Sequence, residues 1–343
     1  MNVKQTAFTE LLVVSSIISV LSALLLVGVQ SARESSRRIS CQNNIRQVQF
    51  GIARFESAWN RLPPGTSGHK HAIPWEEFRN NPNSPVYWKK YQHTSFVAFV
   101  LPFLEQRPIY DAVDPIFFDL KRKVDNSKIQ WFGVIPGFSS ASKNFLEVVL
   151  CPSDDLRSND HDFAGGSQPV LNPSANTFAL SYVEYLNDAV ELQVLAGTNY
   201  LGCGGAATGG IHPDPERNRH KGAMSSGEVV RFANVSDGLS NTIFLGETLG
   251  EIANGQRIFV QPWIVGGLAR GQGNVPWKAT PMIGESLLGT WYNSNGFGFG
   301  GKHASVNFVF GDGATRSLAY SIDWRTMYAL CGIADGDSRT NVD

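Results

Sequence analysis

The sequence predicts an α+β fold: one long N-terminal helix, part membrane span and part amphipathic rod, packed on an antiparallel β-sheet domain with large loop insertions. Three observations lead there. Residues 11–32 carry no formal charge, and as a helix rising about 1.5 Å per residue they reach across the ~30 Å hydrocarbon core of a bilayer. Beyond Arg33, Arg37 and Arg38, the positions Cys41, Ile45, Val48, Ile52, Phe55 and Trp59 recur at steps of four and three, the spacing of one buried helix stripe. The chain then turns rich in breakers and aromatics, with 34 Gly, 17 Pro, 8 Trp and 21 Phe in 343 residues, which suits many short elements better than a bundle.

The first element is therefore a rod over residues 8–62, with its transmembrane segment at about 11–32 and a stop at Arg61-Leu62-Pro63-Pro64-Gly65. Its length is about 80 Å. Gln42, Asn43, Asn44, Arg46, Gln47, Arg54 and Glu56 lie between the stripe positions and read as its wet face. The domain spans residues 63–343. Its opening to Gln92 reads as a long ordered loop, and Thr94 to Glu105 as a buried helix or strand bent at Pro102. A helical turn opens at Pro108. Val148 to Leu150 reads as a strand, Cys151-Pro152-Ser153-Asp154-Asp155 as a turn, and Asp154 to Pro173 as surface loop. Val229 to Phe232 and Thr242 to Leu245 flank Asp237-Gly238 as a hairpin. A C-terminal hairpin at about 304–319 turns at Asp312-Gly313, with Val306, Phe308 and Phe310 alternating with Asn307 and Val309. Asp323 caps a last helix, Trp324 to Leu330.

Composition excludes some functions. A net charge of −1 and 17% charged residues leave no basic footprint for nucleic acid. The four cysteines, Cys41, Cys151, Cys203 and Cys331, lack any C-x-x-C pair, so no zinc-knuckle spacing exists. They are either buried free thiols or two disulfides in one of three connectivities. Cys41, on the stripe that the domain covers, favours Cys151, which leaves Cys203 with Cys331.

Catalytic signatures are missing: there is no G-x-S-x-G, H-E-x-x-H or phosphate loop. Gly204-Gly205, Gly209-Gly210 and Gly266-Gly267 read as turns. His303 and Asp312 invite a metal or catalytic reading, but the turn at Asp312-Gly313 accounts for the second and a strand-entrance hydrogen bond for the first. His69 and His71 read as a solvated turn. No metal site and no cofactor are expected from these residues. Trp59, Trp75, Trp88, Trp263, Trp277 and Trp291 would line a sugar or peptide groove if they are exposed, and the core if they are not.

Ala7 followed by Phe8-Thr9-Glu10-Leu11-Leu12-Val13-Val14 resembles the N-terminus of type IV prepilins and type II secretion pseudopilins. The remainder resembles a bacterial domain of unknown function found behind such leaders, once labelled solute-binding and marked by a C-terminal H-X9-DG signature. The motifs that carry this are Ser31-Ala32-Arg33-Glu34, Cys41-Gln42-Asn43-Asn44-Ile45-Arg46-Gln47, Pro63-Pro64-Gly65, Leu101-Pro102-Phe103-Leu104-Glu105-Gln106 and Leu150-Cys151-Pro152-Ser153-Asp154. They continue through Asp237-Gly238, Asn241-Thr242, Gly246-Glu247, His303, Asp312-Gly313 and Ser321-Ile322-Asp323.

The resemblance implies a pilin-like fold, a leader of residues 1–7 cut between Ala7 and Phe8, N-methylation of Phe8, and Glu10 as the assembly glutamate. It implies inner-membrane lipid, a prepilin peptidase and other pilin-like subunits as partners, a calcium ion in the C-terminal loop at Asp335 and Asp337 as the one metal option, and a single-pass protein of the bacterial inner membrane with its domain extracytoplasmic. The function expected is a structural subunit of a type IV pilus or type II secretion-like filament, not an enzyme. The alternative is a membrane-tethered solute- or glycan-binding protein. Glu10 stands third after the cut where the family places its glutamate fifth, Ala7 replaces the usual Gly, and eight residues rather than nine separate His303 from Asp312. Charge bias alone, Lys4 before the span and three arginines after it, argues for the opposite orientation.

Overall fold

The structure, a computed structural model, describes residues 3–67, 73–74, 94–120, 138–157, 163–164, 167–172, 177–182, 195–205, 219–224, 229–253, 255–264, 268–269 and 298–336. Helix α1 runs unbroken from Val3 to Trp59. It stops where Asn60 adopts a left-handed φ of 51° and returns its N–H to the Glu56 carbonyl at 2.7 Å, an asparagine-capped end ahead of two prolines. From Leu11 to Val29 the large apolar side chains are all exposed, Leu24 at 68% and Val27 at 70%. This is the one helix long and apolar enough to cross a membrane among the described residues.

The second half of α1 is the spine of the domain. Cys41, Ile45, Val48, Ile52 and Phe55 are buried, each aliphatic contributing on the order of 1.5–3 kcal/mol. They pack against helix α2, Phe96–Val100, and the 3-10 turn Leu101–Phe103 in which Pro102 ends it. Gly51 lets the two approach: a Cβ there would stand 3.0 Å from Leu104 Cδ2. Short helices α3, Arg107–Ala112, and α4, Phe138–Ser142, follow. The strands are β1 Ile73–Pro74, β2 Phe163–Ala164, β3 Ser167–Asn172, β4 Thr177–Tyr182, β5 Tyr200–Cys203, β6 Ile243–Glu247, β7 Glu251–Ala253, β8 Gln256–Val260, β9 Leu268–Ala269, β10 Val306–Phe310 and β11 Thr315–Leu318.

The main sheet has the order β11-β10-β6-β5-β9, antiparallel except for the β5–β9 pair. Two three-stranded sheets, β1-β3-β4 and β2-β8-β7, complete the described strands, with β7 and β8 falling in sequence between β6 and β9 of the main sheet. The α+β class predicted from the sequence is the class found. In the C-terminal hairpin Val306 faces Leu318, and Gly313 takes φ 86° in the turn while the Asp312 carboxylate accepts from the Ala314 N–H at 2.8 Å. Alternation sends Val306, Phe308 and Phe310 to one core with helix α5, Trp324–Cys331, and Val309 to the other core with α1. The sheet is thus sandwiched, and Asn307 is turned towards α1.

Several expectations need correction. Val148 to Leu150 is a 3-10 turn, Glu147–Val149, not a strand. Val229 to Phe232 does not pair with Thr242 to Leu245: the Val230 carbonyl is taken by the Leu62 N–H at 2.7 Å, and both edges of β6 are occupied by the distant β5 and β10. The stretch Asp154 to Pro173 contains strands β2 and β3, and Asp154 itself is buried. Trp59 ends the stripe exposed, at 65%, with its ring 6.1 Å from that of Phe55. The wet face is only partly wet: Gln42, Asn44 and Arg46 bond to the domain. Trp263 is a core residue whose Nε1 donates to the Asn144 carbonyl at 2.9 Å. Most of the long loop to Gln92, with His69, His71, Trp75 and Trp88, lies outside the described residues, as do Trp277, Trp291 and Asp337.

Candidate functional site

The helix turns just past the apolar span carry Glu34, Arg38 and Cys41, spaced to share the face that meets the domain. Cys41 is joined to Cys151, which follows the Glu147–Val149 turn, across a sequence separation of 110. Cys203 and Cys331, expected as a second disulfide, are instead buried free thiols, on β5 and at the end of α5. The hydrogen bond with the neighbouring Cys203, and then burial, hold the Cys331 thiol well above its ordinary range.

His303 reaches the same point from the segment before β10. Its Nδ1 lies 2.7 Å from Glu34 Oε1 and its Nε2 3.4 Å from Cys151 Sγ. Glu247, the last residue of β6, places Oε1 3.8 Å from His303 Nε2. Both Glu247 oxygens accept from Asn307, from its backbone N–H and its side-chain amide at 2.9 Å each. The Asn307 carbonyl oxygen then accepts from Gln42 at 3.1 Å and from Ser317 at 2.6 Å, so Gln42 ties the cluster to α1 alongside Glu34 and the disulfide. The buried Tyr200 hydroxyl donates to the Cys41 carbonyl at 3.0 Å, and burial raises its phenol well beyond ionisation at neutral pH.

The two carboxylates sit in opposite environments. Burial is the largest single influence on Glu34 and raises it, but the hydrogen bonds and charges of Arg37 and His303 together outweigh it and hold the carboxyl below its ordinary value. Burial pushes Glu247 up to about 7, although the Asn307 donors and the charge of Arg38 pull the other way and Asp154 adds to the rise. A second polar knot holds Cys151 in place. The Cys151 N–H donates to Asn199 Oδ1 at 2.8 Å, the Asn199 amide to Asp154 at 2.6 Å, and Arg257 pairs with the same carboxylate at 2.5 Å. Beside this knot an open groove of about 1060 Å³ follows α1, lined among others by Phe50, Arg54, Phe103, Phe145, Arg157 and Lys302.

Of the residues singled out in the sequence, Cys41, Cys151, Glu247 and His303 come together, and their ligand atoms lie within 4.8 Å of one another. The other signature residues build a separate brace. Asp237 accepts from the Asp335 and Gly336 N–H groups at 2.8 and 3.2 Å, Gly238 takes φ 96°, Asn241 donates to the Asp237 carbonyl, and Thr242 donates to the Gly238 and Gly332 carbonyls. His303 and Asp312 do not act as a pair, since one contacts Glu34 and the other closes a turn. The Asp335 carboxylate, named for calcium, is taken by His220 Nδ1 at 2.5 Å. Glu10 is exposed on α1, and Ala7 and Phe8 lie in its first turns.

Glu34, Arg38, Asn199, Asn307 and Asp154 were not recognised as site residues. The signal was present in Ser31-Ala32-Arg33-Glu34 and Cys151-Pro152-Ser153-Asp154, polar motifs next to a span and a cysteine. Chemically the cluster has an imidazole oriented by a carboxylate, but the sulfur it faces is held in a disulfide. It offers no free thiol in this state.

A helix that carries one candidate membrane span and then becomes the buried spine of an α+β domain, bolted there by a disulfide and a His–Glu contact, defines an α+β domain protein with an apolar N-terminal helix. The chain belongs to the family described as SBP_bac_10, "Protein of unknown function (DUF1559)", which it matches over residues 30–325, the whole cluster included. No curated protein and no solved structure matches it.

Proposed function

We infer that this chain is a pilin-like, membrane-anchored structural subunit of a filament system of the type IV pilus or type II secretion kind, and that assembly rather than catalysis is its chemistry. The observation that carries this is the continuity of α1, exposed and apolar in its first half and buried in the domain in its second. Such an exposed half has two suitable environments, lipid or a bundle of identical helices, because both are apolar. The leader-like Ala7-Phe8 junction supports processing by a prepilin peptidase.

The disulfide supports an extracytoplasmic domain, since such bonds persist in oxidising compartments. Two of the three arginines that argue for the reverse orientation have local duties: Arg37 pairs with Glu34, and Arg38 donates to Ser305 at 3.0 Å. In this reading the protein sits in the bacterial inner membrane as a single pass, with lipid and pilin-like subunits as its partners.

Single cysteines introduced at Leu21 or Leu25, in the exposed half of α1, test assembly. The reading expects oxidative cross-links between copies in sheared surface or periplasmic material. Monomers alone, confined to the membrane fraction, would contradict it. The groove beside α1 favours a second reading, capture of a small solute or glycan. Saturable, ligand-dependent thermal stabilisation of the full chain, lost in Arg54→Ala, would support that instead.

A further inference from the structure

We propose that the Cys41–Cys151 pair, once reduced, joins His303 Nε2 and Glu247 in a four-ligand site for a zinc-type divalent cation. The spacing fits such a shell. Metal–ligand bonds of about 2.0–2.3 Å in a tetrahedron put neighbouring ligand atoms about 3.3–3.8 Å apart. Cys151 Sγ lies 3.4 Å from His303 Nε2, and that nitrogen 3.8 Å from Glu247 Oε1. Breaking the S–S bond frees the two sulfurs to part to the same separation.

The outer contacts point the same way and do not depend on the disulfide. Metal-binding histidines generally give their other nitrogen to a carboxylate, which fixes the tautomer and the ring plane. Here Glu34 takes Nδ1 at 2.7 Å and leaves Nε2 facing the sulfurs. Glu247 is held by two donors of Asn307, itself fixed by Gln42 and Ser317. Two thiolates, an imidazole and one carboxylate suit zinc and its first-row neighbours and reject calcium and magnesium, which want oxygen only. Arg38, close enough to lower Glu247, offsets the remaining negative charge.

The redox step balances with a dithiol as reductant. It supplies two electrons and two protons, the Cys41–Cys151 bond breaks to two thiols, and the dithiol leaves as a disulfide. Binding a divalent cation then displaces the two thiol protons. Disulfide and cation are mutually exclusive, so the site reports the redox state of its surroundings.

The test uses the full-length protein in detergent, reduced with dithiothreitol, freed of it without air, and titrated with Co(II) and then Zn(II). The proposal expects one equivalent of Co(II), with a sulfur-to-cobalt charge-transfer band and intense tetrahedral d–d bands, both displaced by Zn(II) and absent from the oxidised protein. Cys203→Ser/Cys331→Ser should keep the bands, and His303→Ala should weaken binding by at least ~10-fold. No Co(II) bound to the reduced chain, or bands unchanged by Cys41→Ser/Cys151→Ser or by His303→Ala, would overturn it. Zn(II) should also protect Cys41 and Cys151 from alkylation in the unaltered reduced chain, read by peptide mass; failure to protect them overturns the proposal without any variant.

Discussion

Glu247 shows how far a single residue here departs from its ordinary chemistry. Burial lifts its carboxyl from the usual carboxylate range to about 7, while in the unfolded chain it titrates near its ordinary value of 4.5. Between those two values the folded protein holds a proton that the unfolded chain has lost. Stability from this group is therefore full below about pH 4.5, falls as pH rises through the window and levels off above about 7, a loss on the order of 3 kcal/mol. Denaturant titrations from pH 4 to 8 should show that decline, and Glu247→Gln should flatten it; an equal slope in the variant would assign the decline elsewhere. Residue-level legibility was uneven for a physical reason. The partner of Cys41 was readable because a helical stripe tells which side chains a domain covers. The contact between Glu34 and His303 was not, because nothing local couples residues 269 apart.

At the scale of elements, periodicity worked where one face is buried and failed where tertiary pairing overrode it. The rod, the C-terminal hairpin and the capped helix after Asp323 carry their own signals: a 3.6-residue stripe, Asp312-Gly313, and a side chain accepting from the Arg325 N–H at 2.9 Å. The hairpin expected around Asp237-Gly238 failed because β6 pairs with strands that precede and follow it far along the chain. Trp59 fitted the stripe by spacing, yet its side chain stands exposed even though the domain still meets the chain at Asn60 and Leu62. Substitution separates spacing from packing: Ile52→Ala should cost about 2–5 kcal/mol and Trp59→Ala under about 1. Thermal or denaturant melts of the two variants check this, and equal losses would mean that Trp59 is covered.

The whole molecule is a rod and a domain fastened together at the point where the rod leaves its apolar span. The disulfide closes a loop of 110 residues, for which chain entropy alone gives about 4–5 kcal/mol. Cys41→Ser/Cys151→Ser should therefore lower unfolding stability by about 2–5 kcal/mol, and a dithiol should do the same to the parent protein but not to the variant. Insensitivity of the parent to reduction would show that the bolt is dispensable. The bolt could be expected from the stripe that carries Cys41, but the Glu34 contact could not, because Glu34 and His303 sit in different motifs and only the fold gathers them.

The proposed assembly through the exposed half of α1 depends on what happens at Ala7 and Phe8. The most direct measurement is the N-terminal mass of the protein extracted from its native membrane. A chain beginning at N-methylated Phe8 is the expected result. A chain beginning near Arg33 would contradict it by removing the span altogether, and an intact Met1 would contradict prepilin-type processing and leave a plain membrane anchor.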